Sequence, residues 1–342
     1  MATPTPTTAP TGARFEPGLT GSRWRRLGRA AVGSAPIFLV LAGVLVWIAI
    51  RNPNFTDPPV FLAFLKRATP LMLLAAGQLF VIVAGEFDLS VGSLITAVVV
   101  VAARLIDDDP ARTWPVIALL FGLGALVGLV NGLVTTRLRV PSFIATLGML
   151  LVLEGAVLLW TGGAPRGGLP ENFRRYGRFG FEGVPVIEQV PYSVVVLAVA
   201  GAGAVLLMHR TTFGRQLFAA GGNPRAAHLS GVDVPLVRTV AFVLSATMAT
   251  LAGILLGGFA GVSQDAGEGY EFQAISAVVL GGAALGGGRG SMVAAMAGAL
   301  TLEALFTLLN LLGLPKPLRD AVQGAIIIGA VAYAAYRLRR SR

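Results

Sequence analysis

Residues His209–Arg238 read HRTTFGRQLFAAGGNPRAAHLSGVDVPLVR, a polar island between two apolar segments that are each long enough to cross a bilayer. Inside it lies the signal for a very short helix with both ends marked. Asn223 suits the N-cap position, because its side-chain oxygen accepts from the free N–H groups of a first turn. Pro224 follows at the first helical position, where a missing N–H costs nothing. Arg225, Ala226, Ala227, His228 and Leu229 continue the turn, and Gly231 is placed to close it in a left-handed conformation. About two turns of helix are marginal in water on their own. An element this short, capped at both ends between membrane spans, is expected to be held against another protein.

The flanks are apolar because the whole chain is. Of 342 residues, 55% are hydrophobic and 13% charged, where a soluble domain carries about a quarter charged residues. Mean hydropathy is +0.75. The apolar runs are continuous rather than alternating, which excludes an outer-membrane barrel. The expected class is an all-α integral membrane protein embedded in a lipid bilayer. The net charge of +10 comes from basic residues gathered in loops, the positive-inside pattern rather than a nucleic-acid footprint. With no cysteine, and with His209 and His228 as the only histidines, no disulfide and no metal site are expected.

Working outward from the island, about ten spans are expected: Ser34–Ile50, Pro70–Gly85, Leu89–Leu105, Trp114–Thr135, Ser142–Thr161, Pro191–Met208, Thr239–Phe259, Ala274–Ala284, Met292–Leu312 and Leu318–Tyr336. The second is short and follows a mixed loop, Arg51–Arg67. The eighth is too short to cross alone at 1.5 Å per residue. Residues 1–33 read as a disordered basic tail, 34–337 as the permeating domain and 338–342 as a basic C-terminal tail. Ten spans put both termini on one side, with Arg137, Arg139, Arg210, Arg215, Arg225, Arg238 and Arg289; that side is expected to be cytoplasmic.

Two motifs bear on mechanism. GGAALGGGRGS (Gly281–Ser291) is glycine-rich but lacks the phosphate-loop pattern, and Lys66 and Lys316 are the only lysines. No cofactor is expected on this chain, and it is not expected to bind ATP. GEFDLSVG (Gly85–Gly92) interrupts the helical run, and two readings stay open. Glu86, Asp88 and Ser90 line a polar cavity at a broken helix, or Asp88 and Ser90 merely cap the next span. Gln78, Asn131, Ser245, Asn310 and Gln323 are neutral polar residues on or beside spans, suited to a pathway for a hydroxylated solute or to helix–helix hydrogen bonds. No catalytic constellation is present, so an enzyme is not expected.

Several stretches share a resemblance. GEFDLSVG is similar to a GGIDLSVG signature, Asn131-Gly132 closes a span, and VPSFIATLGML (Val140–Leu150) opens the next. FGRQLFAAGGNPRAAHLSGV, EGYEFQAISAVVLGGAALGGGRGS (Glu268–Ser291) and LNLLGL (Leu309–Leu314) follow in order. From about Pro70 to the C-terminus the chain resembles the permease subunit of bacterial ABC importers of the ribose/xylose type. The resemblance implies a chain of the bacterial cytoplasmic membrane. Its coupling segment (Asn223, Pro224, Arg225, Ala226, Ala227, His228, Leu229, Gly231) would dock on an ATP-binding cassette subunit. It also implies an extracytoplasmic substrate-binding protein, a second permease copy in a homodimer, and a small polar solute, first a monosaccharide. Related permeases for nucleosides or branched-chain amino acids are the near alternative, and an ion-coupled secondary transporter is the alternative of another class. Glu86, where relatives carry glycine, and Glu154 and Glu303, inside spans, depart from the pattern.

Overall fold

The structure is a computed structural model that describes residues 22–184 and 187–315 and scattered positions from there to 332. Residues 1–21 of the expected 1–33 tail, Gln323, about half of the tenth expected span and the whole C-terminal tail lie outside the described residues, and the rest of the expected disordered tail, from Ser22, is helical. Twelve helices run in order among those described: α1 Ser22–Arg51, α2 Pro58–Val83, α3 Val91–Ile106, α4 Thr113–Thr136, α5 Ser142–Thr161, α6 Glu171–Arg178, α7 Tyr192–Arg210, α8 Thr212–Gly222, α9 Pro224–Leu229, α10 Val234–Ala260, α11 Tyr270–Leu280 and α12 Met292–Leu311. Six of them, α2, α4, α5, α7, α10 and α12, are long and apolar enough to cross a membrane.

The spans agree closely with expectation at α4, α5, α7 and α12 and differ elsewhere for physical reasons. The second span is not short. α2 starts at Pro58, so most of the expected Arg51–Arg67 loop is helix and only the turn Asn52–Asp57 remains. Pro58 and Pro59 sit in the first turn, where no N–H is needed. Pro70 is tolerated inside α2 although it removes one helical bond, in a stretch buried without interruption from Ala68 to Val83. The polar island holds a second helix, α8, ahead of the short one. The fold is not purely α. Beyond α6, strands β1 (Gly180–Val184) and β2 (Ile187–Pro191) form an antiparallel ribbon in the register Phe181↔Val190.

α10 is the hub, packed against α2, α3 and α4. Its most apolar stretch is 67% buried, against 22% for that of α5, which lies at the periphery. The α4–α10 contact is close because Gly124, Gly128 and Gly132 fall on one face of α4 at four-residue spacing. A Cβ at Gly128 would stand 2.6 Å from the Phe242 carbonyl oxygen, and one at Gly132 would stand 2.7 Å from the Thr239 Cα. Backbone cannot swing aside as a side chain can. Gly128→Leu is therefore expected to lower stability by about 1–3 kcal/mol or more. The check is the unfolding midpoint of the purified protein in detergent, with Gly122→Leu, which meets open space, as the neutral comparison.

Two segments turn back into the membrane domain. After α2, residues Glu86–Leu89 run extended, retreating alongside α2 before α3 begins. After α10, the stretch Gly261–Gly269 folds back along α3. Gly253 and Gly257 of α10 face Val98 and Val99, whereas Gly267 lies against Ile95 and Gly92, nearer the start of α3. The Gly267 N–H donates to Thr96 Oγ1 at 3.0 Å. α11 thus starts deep, and its 11 residues, roughly 16 Å of helix, complete the passage.

Candidate functional site

The short helix forms as its sequence requires. Asn223 Oδ1 accepts from the Ala226 N–H at 3.0 Å, and Pro224 takes the first position. At the far end Gly231 has φ +84°. The Val232 N–H donates to the Ala227 carbonyl and the Gly231 N–H to that of His228, both at 3.0 Å, closing a Schellman motif. Arg225, Ala226, His228 and Leu229 face outward, and Leu229 is 81% exposed. Ala227 alone is buried, 5% exposed, so it seats α9 on its own domain and is not part of the outward face.

α8, α9 and the ends of α2, α10 and α11 gather at one face. The end of α2 is the centre of this cluster. Gly221 of α8 lies against the Val83 carbonyl, which also accepts from the Gly288 N–H at 2.9 Å. α2 closes with the same Schellman motif as α9: Glu86 N–H to Val81 and Gly85 N–H to Ile82, with Gly85 at φ +86°. Glu86 then pairs with Arg238 of α10, Oε1 to Nη1 2.7 Å.

The backbone N–H groups of the extended residues that follow, Phe87 to Leu89, are all held by side chains. The Phe87 N–H donates to Ser142 Oγ and the Leu89 N–H to Thr146 Oγ1, both at 3.1 Å. From the other side, the Gln78 amide, in the orientation its neighbours dictate, donates to the Asp88 carbonyl at 3.2 Å and accepts from the Asp88 N–H at 3.3 Å. Backbone away from water must be satisfied in full, and here a helix face and one amide replace a neighbouring strand. Asp88 Oδ1 accepts from the Ser90 N–H at 3.1 Å and from Ser90 Oγ at 2.7 Å, and Asn131 Nδ2 donates to Ser90 Oγ at 2.9 Å. Ser245 lies beside the Asp88 carboxylate.

Gln78, Asp88, Ser90, Asn131 and Ser245 therefore form one cluster from α2, the break, α4 and α10, and each is 0–1% exposed. Glu86 belongs to the α9 face instead. Asn310 is remote from both: it is exposed near the end of α12, where its Oδ1 accepts from Arg319. The residues not anticipated are Ser142, Thr146, Thr96 and Arg238. Ser142 and Thr146 carry a signal, two hydroxyls four residues apart in an apolar span and hence on one helix face.

An open cavity of about 330 Å³ lies on the other side of the break, lined by Ser93, Thr96, Glu154, Gln264, Asp265 and Glu271 among others. Glu154, one of the two carboxylates inside spans, faces this cavity from α5. Glu303 on α12 lies in the field of Arg67 on α2.

Residues 60–331 match the model of the branched-chain amino acid transport system permease component family. The chain is similar to the ribose import permease protein RbsC of Escherichia coli (strain K12), 36% identical over 296 residues, which are 85% of this chain and 91% of that one. The ribose import permease of Bacillus subtilis (strain 168) is 37% identical over 299 residues, 86% and 90% of the two chains. The autoinducer 2 import system permease protein LsrC of Klebsiella pneumoniae subsp. pneumoniae is 34% identical over 295 residues, 86% and 84%. No solved structure matches the chain. Six helices long and apolar enough to cross a membrane, a family match over residues 60–331 and this identity over most of each relative agree, and the chain belongs to the family of branched-chain amino acid transport system permease components, as a multi-pass protein of the bacterial inner membrane.

Proposed function

We propose that this chain is the membrane-spanning subunit of an ATP-driven importer for a monosaccharide, a ribose- or xylose-like pentose or a related sugar or polyol. The observation that carries the reading is the likeness to ribose import permeases over 85% of this chain and 91% of the relative, a span that includes both turned-back segments and α9. The α9 face, with its arginines, is the cytoplasmic one, ten spans leave both termini there, and α9 docks on an ATP-binding cassette subunit that hydrolyses the ATP. A substrate-binding protein delivers the solute to the opposite face.

The second copy in this reading lies across α5. Glu154 is exposed at the thirteenth of the twenty α5 residues, and a carboxylate at that depth is costly against hydrocarbon. α5 then faces its counterpart across a water-filled path, and the cavity lined by Ser93, Thr96, Glu154, Gln264 and Glu271 is part of it. Hydroxyls, an amide and carboxylates match the donors and acceptors of sugar hydroxyls. The buried Gln78–Asp88–Ser90–Asn131–Ser245 cluster holds the break in place and does not line the path.

The test is uptake into proteoliposomes that contain the permease, its ATPase subunit and its binding protein. Labelled ribose is expected to accumulate only with ATP inside, and unlabelled pentoses are expected to compete where leucine does not. Competition by leucine alone would move the chain to amino acid import. Uptake driven by a proton gradient, with the permease alone, would replace the ABC reading with ion-coupled transport.

A further inference from the structure

We propose that the Glu86–Arg238 ion pair is the strut through which movement of α9 reaches the turned-back segment Glu86–Leu89, so that Glu86 is a positioning residue for transport; this rests on the coupling role proposed above for α9.

Both ends of the pair are tied to moving parts by short, explicit connections. On one side, α9 and the head of α10 are joined by Ser230–Asp233 alone. Val232 is bonded back to Ala227, and Asp233 Oδ1 caps α10 by accepting from the Leu236 N–H at 3.1 Å. Arg238 lies one turn into α10, so it travels with α9. On the other side, Glu86 is the last residue of the closing motif of α2. The next three residues are held by Ser142, Gln78 and Thr146, and they lead directly into Ser90 and α3. A pull on Glu86 is therefore a pull on the segment that separates the path cavity from the α9 face.

No other charged contact offers this connection. Among the described residues there are two ion pairs, and the second, Arg112–Asp109, lies within a single turn. α8 and the Gly287–Gly288 turn meet α2 itself, at Val83 and Gly85 near its end. The pair is shielded, its side chains 24% and 12% exposed, so salt screens it less than a surface pair. Beside it lies a cavity of about 300 Å³ lined by Thr135, Thr136, Arg139, Pro141 and Val234 among others. That space accommodates a shift of about 1–2 Å, the usual scale of helix movements at switching interfaces. At an Oε1–Nη1 separation of 2.7 Å, such a shift either carries Glu86 along or breaks the pair.

The test is hydrogen exchange on the complete transporter, with and without ATP plus vanadate. The readouts are the peptide spanning residues 84–92 and the peptide spanning residues 223–232. In the wild-type complex, nucleotide is expected to change exchange in both. Glu86→Gln is expected to keep the change in the α9 peptide and to reduce the change in 84–92 by about tenfold, within the range of measured coupling between sites. The exchanged pair E86R/R238E is expected to restore it. Glu86→Gly removes the same carboxylate and replaces Glu86→Gln should that variant not assemble. The strut is overturned if 84–92 still responds to nucleotide without the carboxylate, or if the exchanged pair folds and fails to restore the response. A wild-type α9 peptide that ignores nucleotide overturns the coupling reading itself, and the strut with it.

Discussion

Leu229→Asp is expected to abolish ATP-driven uptake while the permease folds and inserts normally. Leu229 is 81% exposed at the end of α9, so its replacement removes no packing within this chain. An apolar side chain held out on a helix that is capped at both ends is the anchor expected of a docking element, and truncating such an anchor costs roughly 2–4 kcal/mol of association, about thirty- to a thousandfold in affinity. A carboxylate in the receiving groove adds the cost of an unpaired buried charge. The measurements are co-purification of the ATPase subunit and ATP-dependent uptake in proteoliposomes. The contrast is Ala227→Asp, at the buried position of the same helix. It is expected to unseat α9 and lower the unfolding midpoint of the permease alone. A Leu229→Asp permease that still retains its ATPase and transports at the wild-type rate would remove α9 from the interface.

Asp88→Ala is expected to give the largest loss of stability of any single substitution in the polar cluster. The Asp88 side chain is fully buried, and Oδ1 is the acceptor for both the Ser90 N–H and the Ser90 hydroxyl. Its removal orphans two donors, releases Asn131 from an ordered partner and leaves a small cavity, for a sum of roughly 2–5 kcal/mol. Asp88→Asn keeps the acceptor oxygen and the shape, and its amide nitrogen can donate toward Ser245, so a cost of about 1 kcal/mol or less is expected. Unfolding midpoints of the two variants in detergent, measured side by side, provide the check. An alanine variant as stable as the asparagine one would show that the carboxylate does not hold the break. A large loss in the asparagine variant would show that the ionised group itself is required.

The two readings of GEFDLSVG were not separable from the residues, and the structure divides them. The Asp88 and Ser90 side chains form a local turn just ahead of α3, but neither accepts from the N–H groups of its first turn. The backbone from Phe87 to Leu89 is unwound within the membrane domain, as the broken-helix reading has it. What sequence did not reveal was the set of partners, because Ser142, Thr146 and Asn131 lie 41 to 59 residues away in the chain. Arg238 as the partner of Glu86 was hidden for the same reason. Asn310 and Asn131 looked alike, each an amide on an apolar span. One is buried in the cluster and the other is exposed at the far end of α12.

The sequence by itself determined what depends on near neighbours and on average polarity. The caps of α9, the closing glycines at Gly85 and Gly231, and the bounds of α4, α5, α7 and α12 all follow from hydrogen bonds reaching three to five residues or from the exclusion of unbonded backbone from hydrocarbon. Tertiary structure alone decided which way each buried residue faces. Hydropathy records that a side chain avoids water, and it does so equally for lipid, a neighbouring helix or a second subunit. The start of α2 at Pro58, the inward seat of Ala227, the depth of the two turned-back segments and the ion pair between Glu86 and Arg238 were therefore set by contacts between distant parts of the chain.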